Sequence, residues 1–279
     1  AMTQWIGGLG IVFFTIAVLP IFGMGGIQVF AAEASGPTHD KVHPRIGVTA
    51  KWIWGIYAGM TGTLIVLLVF GGMSVFDSIC HAFTTTSTGG FSTKQASIEY
   101  YHSPYIDYVI SIFMFLSGIN FTLLLLMFNG KIKKFIHDAE LKFYFITIFI
   151  AFWLYRTCDM GVEEAFRKSL FQVISLQTST GFATADYMLW PSILWGCLIV
   201  VMLIGACAGS TTGGIKCIRM VILFKVAKNE FKHILHPNAV LPVRVNKQVI
   251  SPSIQRYWHS HFCMQLSPLS AYSLCWVSE

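Results

Sequence analysis

The sequence predicts an all-α protein that crosses a membrane several times. Charged residues make up 11% of the chain and hydrophobic residues 54%, and the mean hydropathy is +0.63. A soluble domain carries about 25% charged residues, so the chain has too few charges to cover a water-exposed surface. Apolar runs of bilayer length alternate with short polar loops. Together these observations predict a polytopic helical membrane protein.

The apolar runs recur in a fixed order along the chain. A helix needs about 20 apolar residues to cross the hydrocarbon core of a bilayer. The predicted spans cover residues 5–30, 52–73, 106–129, 141–156 and 191–224. Two shorter segments, 74–86 and 163–176, each follow a span. A helix of that length covers about half of a ~30 Å core, so each is expected to enter the membrane and stop midway, as a pore helix does.

Each short segment ends in a polar run of Thr, Ser and Gly, over residues 84–93 and 177–184. Irregular backbone persists at membrane depth only where it is buried in protein or lines a water-filled path. Carbonyl oxygens of such a run can replace the hydration shell of K⁺, and glycine adopts the required conformations without a Cβ penalty. The predicted ion-binding residues, with K⁺ as the only metal, are Thr88, Gly89, Gly90, Phe91, Ser179, Thr180, Gly181 and Phe182.

A single run of this kind would be explained equally well as a Thr/Ser-rich loop at the membrane surface. Two runs argue against that interpretation, because Gly90 and Gly181 stand 91 residues apart and each run follows a half-length helix. The C-terminal end of each short helix, with its partial negative charge, favours a cation. The repetition therefore predicts a pore built from internal repeats.

The last span is interrupted by a glycine-rich stretch at residues 205–214. Each glycine costs roughly 1 kcal/mol relative to alanine within a helix, so helical geometry is weak there. One interpretation is an unwound gating loop beneath the filter, and the other is a close helix-packing seam of small residues. Lys216 either anchors such a loop or marks the cytoplasmic interface by snorkelling. The predicted gating residues are Gly205, Ala208, Gly209, Ser210, Thr211, Thr212, Gly213, Gly214 and Lys216.

Isolated polar residues in the apolar segments have structural and functional interpretations. Asn120, in the third span, either makes a helix–helix hydrogen bond or lines the ion pathway. Asp77 and His81 lie four residues apart on the first short helix, and we expect them to orient it rather than relay protons. Glu99 and Asp186 either add negative potential at an outer mouth or are solvated loop charges.

Charge placement predicts the orientation and excludes other classes of protein. Lys and Arg concentrate in loops 31–51, 130–142 and 216–247, which the positive-inside rule places in the cytoplasm. The filter runs then face the outer side. The net charge of +6 belongs to these short loops, so nucleic-acid binding is not predicted. The sequence has no catalytic motif of an enzyme, and its seven cysteines show no zinc-ligand spacing.

Several motifs then follow one another in a specific order. They are QWIGGLGI at 4–11, AEASGP at 32–37, PRI at 44–46, GGFST at 89–93, TGFATAD at 180–186, GACAGSTTGGIK at 205–216 and HPNAV at 236–240. In this order they resemble the TrkH family, the membrane subunit of the bacterial Trk potassium uptake system. The resemblance runs from the first residues to about residue 250.

The resemblance implies the fold of the TrkH/KtrB superfamily, four membrane–pore–membrane repeats around one K⁺ pathway. Residues 1–30 are similar to the closing helix of repeat one, 52–129 to repeat two, and 141–224 to repeat three with a broken last helix. Segment 225–250 is then a basic cytoplasmic segment. Residues 251–279 show no family resemblance and are expected to be a disordered tail.

The function implied by the resemblance is potassium uptake across the bacterial inner membrane, with the potassium ion as substrate and no cofactor bound by this chain. The implied partners are membrane lipid, a second copy in a homodimer, and a cytoplasmic nucleotide-binding regulatory subunit of the TrkA type. The first filter run and the fourth repeat of the family are not found, and the chain begins on Ala1. We therefore expect a fragment that does not conduct alone. The alternative function is a non-conducting truncated remnant or membrane scaffold subunit.

Overall fold

The computed structural model describes residues 1–8, 46–154, 162–185, 192–235, 244–246 and 248–249. The chain divides into two units, residues 1–217 and 218–279. Most of the first predicted span, 5–30, and all of the tail 251–279 lie outside the described residues.

Within the residues that the structure describes, the regular structure of the first unit is helical. Its helices, in chain order, are α1 (Met2–Gly8), α2 (Ile46–Phe70), α3 (Val75–Thr86), a 3₁₀ helix (Ser97–Tyr101), α4 (Pro104–Ser117), α5 (Phe121–Phe128), α6 (Ile132–His137), α7 (Ala139–Leu154), α8 (Val162–Gln177) and α9 (Ser192–Ile204). The two expected half-length helices are therefore present as α3 and α8.

Helix α2 occupies the position of the second predicted span and begins at Ile46, earlier than the expected residue 52. One stripe of the helix is buried, and its members recur at helical spacing: Ile53, Tyr57, Thr61, Leu64 and Leu68. The remaining faces expose large apolar side chains, among them Val66, Val69 and Phe70. A helix that is apolar on every face suits a lipid environment outside and a packed core inside.

Helix α3 is short because its sequence carries a start signal and a stop signal. The Ser74 side chain accepts the Asp77 backbone N–H at 3.1 Å, which satisfies one of the orphan donors of the first turn. At the other end, Ser87 is the last residue in right-handed geometry and Thr88 turns to positive φ. The helix therefore ends within the first polar run, and α2 packs along it.

The third predicted span, 106–129, is not one continuous helix. It is a pair of helices, α4 and α5, that meet at 101° across residues 118–120. Gly118 ends α4, and the Asn120 side chain caps α5 by accepting the Thr122 backbone N–H at 2.8 Å. The expectation of an unbroken span was wrong, because a glycine and an N-cap residue interrupt an otherwise apolar run.

The following repeat has the same order of elements. Helix α7 starts after Asp138, whose carboxylate accepts the backbone N–H groups of Glu140 at 2.9 Å and Leu141 at 3.0 Å. The second short helix, α8, precedes the second polar run, and α9 leads to the glycine-rich break. Helix α8 packs on α4, α7 and α9, so the two repeats share one core.

Within the described residues, one helix is long and apolar enough to cross a bilayer, over Lys51–Phe70. The bent pair α4–α5 meets the same criterion when its two helices are taken together, and Leu194–Ile204 is a shorter apolar helix.

The second unit begins within helix α10 (Cys217–Leu235), whose first residue belongs to the first unit. Two short antiparallel strands follow, β1 (Arg244–Val245) and β2 (Gln248–Val249), with Arg244 opposite Val249. The last predicted span was expected to end at residue 224. The helix instead continues to Leu235, through the part of the basic segment that carries Lys225, Lys228 and Lys232.

Candidate ion pathway

The first polar run leaves helix α3 through a left-handed turn. Thr88 has φ 53° and Gly90 has φ 67°. The N–H groups of Gly89 and Gly90 both point back to the Thr84 carbonyl oxygen, at 2.7 and 3.4 Å. A positive φ at the end of a helix is a common C-terminal cap, but Thr88 is β-branched and rarely adopts it. The run is therefore held in a strained conformation by its surroundings.

The second polar run repeats this geometry 91 residues later. Ser179 has φ 57° and Gly181 has φ 83°. The N–H groups of Thr180 and Gly181 point back to the Ser175 carbonyl oxygen, at 2.8 and 3.2 Å. Each hydrogen bond and each positive φ has its counterpart in the first run. The repeat inferred from the sequence therefore extends to individual backbone atoms.

In each run, a hydroxyl group donates a hydrogen bond to the carbonyl oxygen of the phenylalanine. The Thr84 hydroxyl donates to the Phe91 carbonyl oxygen at 2.9 Å, and the Ser175 hydroxyl donates to the Phe182 carbonyl oxygen at 2.7 Å. The two aromatic rings differ in their surroundings, because Phe91 is 69% exposed whereas Phe182 is fully buried. The hydroxyls of the polar segments thus fix the backbone of the runs.

The two runs approach one another at Gly90. A Cβ atom placed on Gly90 would collide with the carbonyl oxygen of Thr180. Gly181 has a similar positive φ, but a Cβ placed there meets no atom within 4 Å. The structure therefore brings the predicted filter residues of both repeats together and leaves open space beside the second glycine.

Helix α1 contacts the first run through Gln4 and packs on α2 and α3 through Trp5. The Gln4 side-chain amide donates to the Gly89 carbonyl oxygen at 3.4 Å. The Trp5 ring stacks on the rings of Tyr57 and Phe83, with centroids 5.4 and 5.2 Å apart. Its indole N–H donates to the Thr61 hydroxyl at 2.9 Å. These contacts join α1, α2 and α3 into one packed support.

A polar network secures the segment that follows the first run. The Thr93 hydroxyl donates to an Asp77 carboxylate oxygen at 2.6 Å, and Lys94 Nζ lies 3.6 Å from the same carboxylate. The buried His81 ring bridges the Asp77 carbonyl oxygen, 2.8 Å from Nδ1, and the Ser92 hydroxyl, 2.9 Å from Nε2. These contacts agree with the structural role expected for Asp77 and His81, which is to orient the short helix.

An ion pair holds the second short helix. Arg167 on α8 donates through its guanidinium to the carboxylate of Asp107 on α4, and through Nε to Glu163 at 3.1 Å. The side chains of Arg167 and Asp107 are 13% and 8% exposed. The pair connects the short helix α8 to helix α4.

The glycine-rich loop 205–214 lies directly against the first polar run. The Thr88 hydroxyl donates to the Thr211 carbonyl oxygen at 2.9 Å, and the Thr211 hydroxyl donates to the Thr86 carbonyl oxygen at 3.1 Å. Against the second run, a Cβ placed on Gly213 would meet the Ser179 hydroxyl at 3.3 Å. The loop therefore lies close to both polar runs.

The bend in the α4–α5 pair packs against the same loop. The Cys207 N–H donates to the Gly118 carbonyl oxygen and the Phe121 N–H donates to the Gly209 carbonyl oxygen, both at 3.1 Å. A Cβ on Gly209 would meet the Asn120 side chain at 3.2 Å. Each broken helix thus satisfies backbone groups that the other leaves open, which is the condition for irregular backbone at membrane depth.

Two charged residues contact the loop at its ends. The Glu140 carboxylate accepts the Ala208 N–H at 2.6 Å, and Glu140 is 5% exposed. Lys216 contacts the Thr212 carbonyl oxygen through Nζ, and the Thr212 hydroxyl lies 3.3 Å from the same nitrogen. Of the two interpretations of Lys216, the contacts favour an anchor for the loop.

The two acidic residues expected near an outer mouth are located only in part. Glu99 is exposed, and its backbone N–H donates to the Ala183 carbonyl oxygen at 3.3 Å. Asp186 lies outside the described residues.

The sequence model of the TrkH family, described as a cation transport protein, matches residues 1–266. The chain belongs to the TrkH family. The match continues past residue 250, where the motif resemblance was expected to end.

Individual TrkH relatives agree with this assignment. The chain is 40% identical over 265 residues to the Trk system potassium uptake protein TrkH of Escherichia coli (strain K12), covering 91% of this chain and 54% of that protein. Identity to TrkH of Halomonas elongata is 36%, with 91% and 55% covered. The crystal structure of the potassium transporter TrkH from Vibrio parahaemolyticus matches 99% of this chain and 56% of its own, at 33% identity and a TM-score of 0.77. The chain spans about half the length of the TrkH relatives it matches.

Several residues of this candidate site were not indicated by the sequence pattern. Glu140 was counted with the basic loop 130–142, although an acid among lysines at a helix start was a usable signal. Trp5 and Gln4 were used only as part of a family motif. In the sequence, only Gly118 and Asn120 indicate the bend between α4 and α5. Their partners lie far away in sequence, so their contacts could not be inferred from local pattern.

Proposed function

We propose that this chain forms part of a potassium uptake pore. Residues 88–91 and 179–182 bind dehydrated K⁺ through backbone carbonyl oxygens, and loop 205–214 controls passage beneath them. The TrkH relatives are named as potassium uptake proteins, and the arrangement of the two polar runs suits the same substrate.

The repeated backbone geometry of the two runs carries this proposal. Both runs have the positive φ values, the paired N–H groups and the hydroxyl contact to phenylalanine in the same register. A cation that sheds its water needs oxygen ligands at fixed distances. Side-chain and backbone contacts that hold two glycine-containing runs in matching conformations, side by side, meet that need.

The contacts of the loop support its assignment as a gate. It is non-helical, it interrupts a helix, and it is hydrogen-bonded to the filter run through Thr88 and Thr211. Hydroxyl contacts of this kind can be exchanged for contacts with water or an ion at small cost in free energy. The loop can therefore release the filter without unfolding the surrounding helices.

The location and partners follow from the same proposal. The chain is a multi-pass protein of the bacterial inner membrane with its basic loops in the cytoplasm. It pairs with a second copy and with a nucleotide-binding regulatory subunit of the TrkA type. Segment 216–247 is the proposed docking surface for that subunit, because Lys225, Lys228 and Lys232 recur on one side of α10 at spacings of three and four residues.

A matched pair of glycine variants tests the filter assignment. Gly181→Ser and Gly130→Ser both place a side chain at a positive φ, 83° and 75°, where no atom lies within 4 Å of the new Cβ. The two variants therefore share their local backbone strain and differ in position. Each is expressed in the full-length transporter in a bacterium deficient in potassium uptake, and growth at low K⁺ and the ratio of K⁺ to Na⁺ uptake are measured.

We expect Gly181→Ser to lose growth at low K⁺ or to lose discrimination between K⁺ and Na⁺, whereas Gly130→Ser keeps both. Equal uptake and selectivity in the two variants, at equal amounts of protein in the membrane, would contradict the filter assignment. The polar runs would then be ordinary surface loops.

A further inference from the structure

The loop 205–214 is divided into two halves that are held by different kinds of contact. In the first half, Ala206, Cys207 and Ala208 are all at most 3% exposed. In the second half, Gly213 and Gly214 are exposed, whereas Thr212 is 6% exposed. The two halves differ in the kind of hydrogen bond that holds them.

Backbone groups hold the first half to other elements. The Cys207 N–H donates to the Gly118 carbonyl oxygen, and the Gly209 carbonyl oxygen accepts the Phe121 N–H. Between these two bonds, the Ala208 N–H donates to the Glu140 carboxylate at 2.6 Å. The second half is held instead by hydroxyl groups and by Lys216, as in the 2.7 Å contact between the Ser210 and Thr212 hydroxyls.

Glu140 is the one charged group among these contacts to the first half, in the part of the chain that the structure describes. A carboxylate that is 5% exposed carries a desolvation cost, which charge-assisted hydrogen bonds offset. Its position is fixed, because it lies in the first turn of α7 that the Asp138 side chain caps. A buried ionisable residue at this depth calls for a functional explanation.

We propose that Glu140 is a positioning residue for the gate. Its carboxylate accepts the hydrogen bond of the Ala208 N–H. This contact keeps residues 205–208 in place and inaccessible to water, while residues 210–214 move. The inference rests on the proposed gating function of the loop. Without the carboxylate, the Ala208 N–H is a buried donor with no acceptor at this site, and the first half shifts to find one.

The free thiol of Cys207 reports on this contact without any engineered label. Cys207 is fully buried and belongs to the first half of the loop. In the full-length transporter, N-ethylmaleimide reacts with accessible thiols, and peptide mass spectrometry identifies which cysteine is modified. Passive K⁺ leak through proteoliposomes is measured on the same preparations.

Three substitutions of Glu140 separate the effect of side-chain length from the effect of charge. Glu140→Gln keeps the chain length and an acceptor oxygen, whereas Glu140→Asp keeps the charge but withdraws it by about 1.5 Å. Glu140→Ala removes both. Glu164→Ala, an exposed glutamate of α8, is the control for loss of an acid elsewhere.

We expect Cys207 to react at least about tenfold faster in Glu140→Ala and Glu140→Asp, and at the unmodified rate in Glu140→Gln and Glu164→Ala. If Glu140→Ala does not accumulate in the membrane, the comparison of Glu140→Asp with Glu140→Gln gives the same test. Protection of Cys207 in both Glu140→Ala and Glu140→Asp would overturn the proposal, as would equal exposure in Glu140→Gln and Glu140→Asp.

The leak measurement distinguishes failure of this proposal from failure of the proposed function. Faster Cys207 modification together with a raised K⁺ leak supports both the anchor and the gate. Faster modification with an unchanged leak supports Glu140 as the anchor of the loop and counts against the loop as the gate.

Discussion

The Thr88 hydroxyl donates to the Thr211 carbonyl oxygen at 2.9 Å, across 123 residues of sequence. Thr88 belongs to the first polar run and Thr211 to the glycine-rich loop. The Thr211 hydroxyl returns a contact to the helix that precedes the run. A change in the position of the loop therefore acts directly on a proposed filter residue that already has a strained φ of 53°.

Removal of the Thr88 hydroxyl should loosen the loop without changing the shape of the run. Thr88→Val keeps the branched side chain and leaves the Thr211 carbonyl oxygen without this donor, at a cost of about 1 kcal/mol. We expect a raised K⁺ leak in Thr88→Val and normal closure in Thr88→Ser, which keeps the hydroxyl. The measurement is K⁺ flux through proteoliposomes, and equal leak in the two variants would contradict the link.

The two filter glycines should respond differently to alanine. Gly181→Ala introduces an unfavourable φ into open space, at a cost of about 1–2 kcal/mol. Gly90→Ala adds a collision with the Thr180 carbonyl oxygen to a similar strain. We expect Gly90→Ala to lower the unfolding temperature more than Gly181→Ala does. A larger decrease for Gly181→Ala, measured in detergent on equal amounts of protein, would contradict the close approach of the two runs.

The short helices and polar runs could be predicted from sequence because their signals are local. A dozen residues are too few to cross a bilayer, and Ser74 and the Thr/Gly run mark the two ends of α3. The repeat was visible because both copies kept glycine and phenylalanine in register. The roles of these residues in ion binding and gating remain predictions that the variants above test.

The contacts that join the repeats could not be predicted from sequence. The bend at residues 118–120 has apolar residues on both sides, so hydropathy continues across it. Its backbone groups are satisfied by Cys207 and Gly209 from the other repeat. Glu140 and Ala208 are separated by 68 residues. Such pairings depend on the packing of whole helices, which no local pattern encodes.

The Arg167–Asp107 pair should be the most sensitive charge contact of the second short helix. Loss of Arg167 leaves the Asp107 carboxylate buried without its cationic partner, at a cost of about 3 kcal/mol. We expect Arg167→Ala to destabilise strongly and the double variant Arg167→Gln with Asp107→Asn to recover part of the loss. Lys168→Ala, whose partner Glu164 is solvent-exposed, should have little effect. Chemical unfolding of the unmodified protein, Arg167→Ala, the double variant and Lys168→Ala measures these changes in stability. Equal effects of Arg167→Ala and Lys168→Ala would refute the prediction.

Trp5 should support filter selectivity from outside the filter. Its ring packs between Tyr57 and Phe83, and its N–H reaches Thr61, whose hydroxyl lies 3.1 Å from that of Thr86 at the end of the pore helix. Because the ring is half-buried, Trp5→Ala should cost about 3 kcal/mol, at the low end for removal of a large aromatic side chain.

We expect Trp5→Ala to reduce the ratio of K⁺ to Na⁺ uptake, since the run loses its backing, and Trp5→Phe to retain most of it through ring stacking. Trp52→Ala is the matched control, because that tryptophan is 58% exposed on α2. Uptake of both ions is measured in the full-length transporter at equal expression. A loss of selectivity in Trp52→Ala as large as that in Trp5→Ala would mean that removing any aromatic ring disturbs the filter. Selectivity lost in Trp5→Ala and kept in Trp52→Ala would instead assign the effect to the support behind the first run.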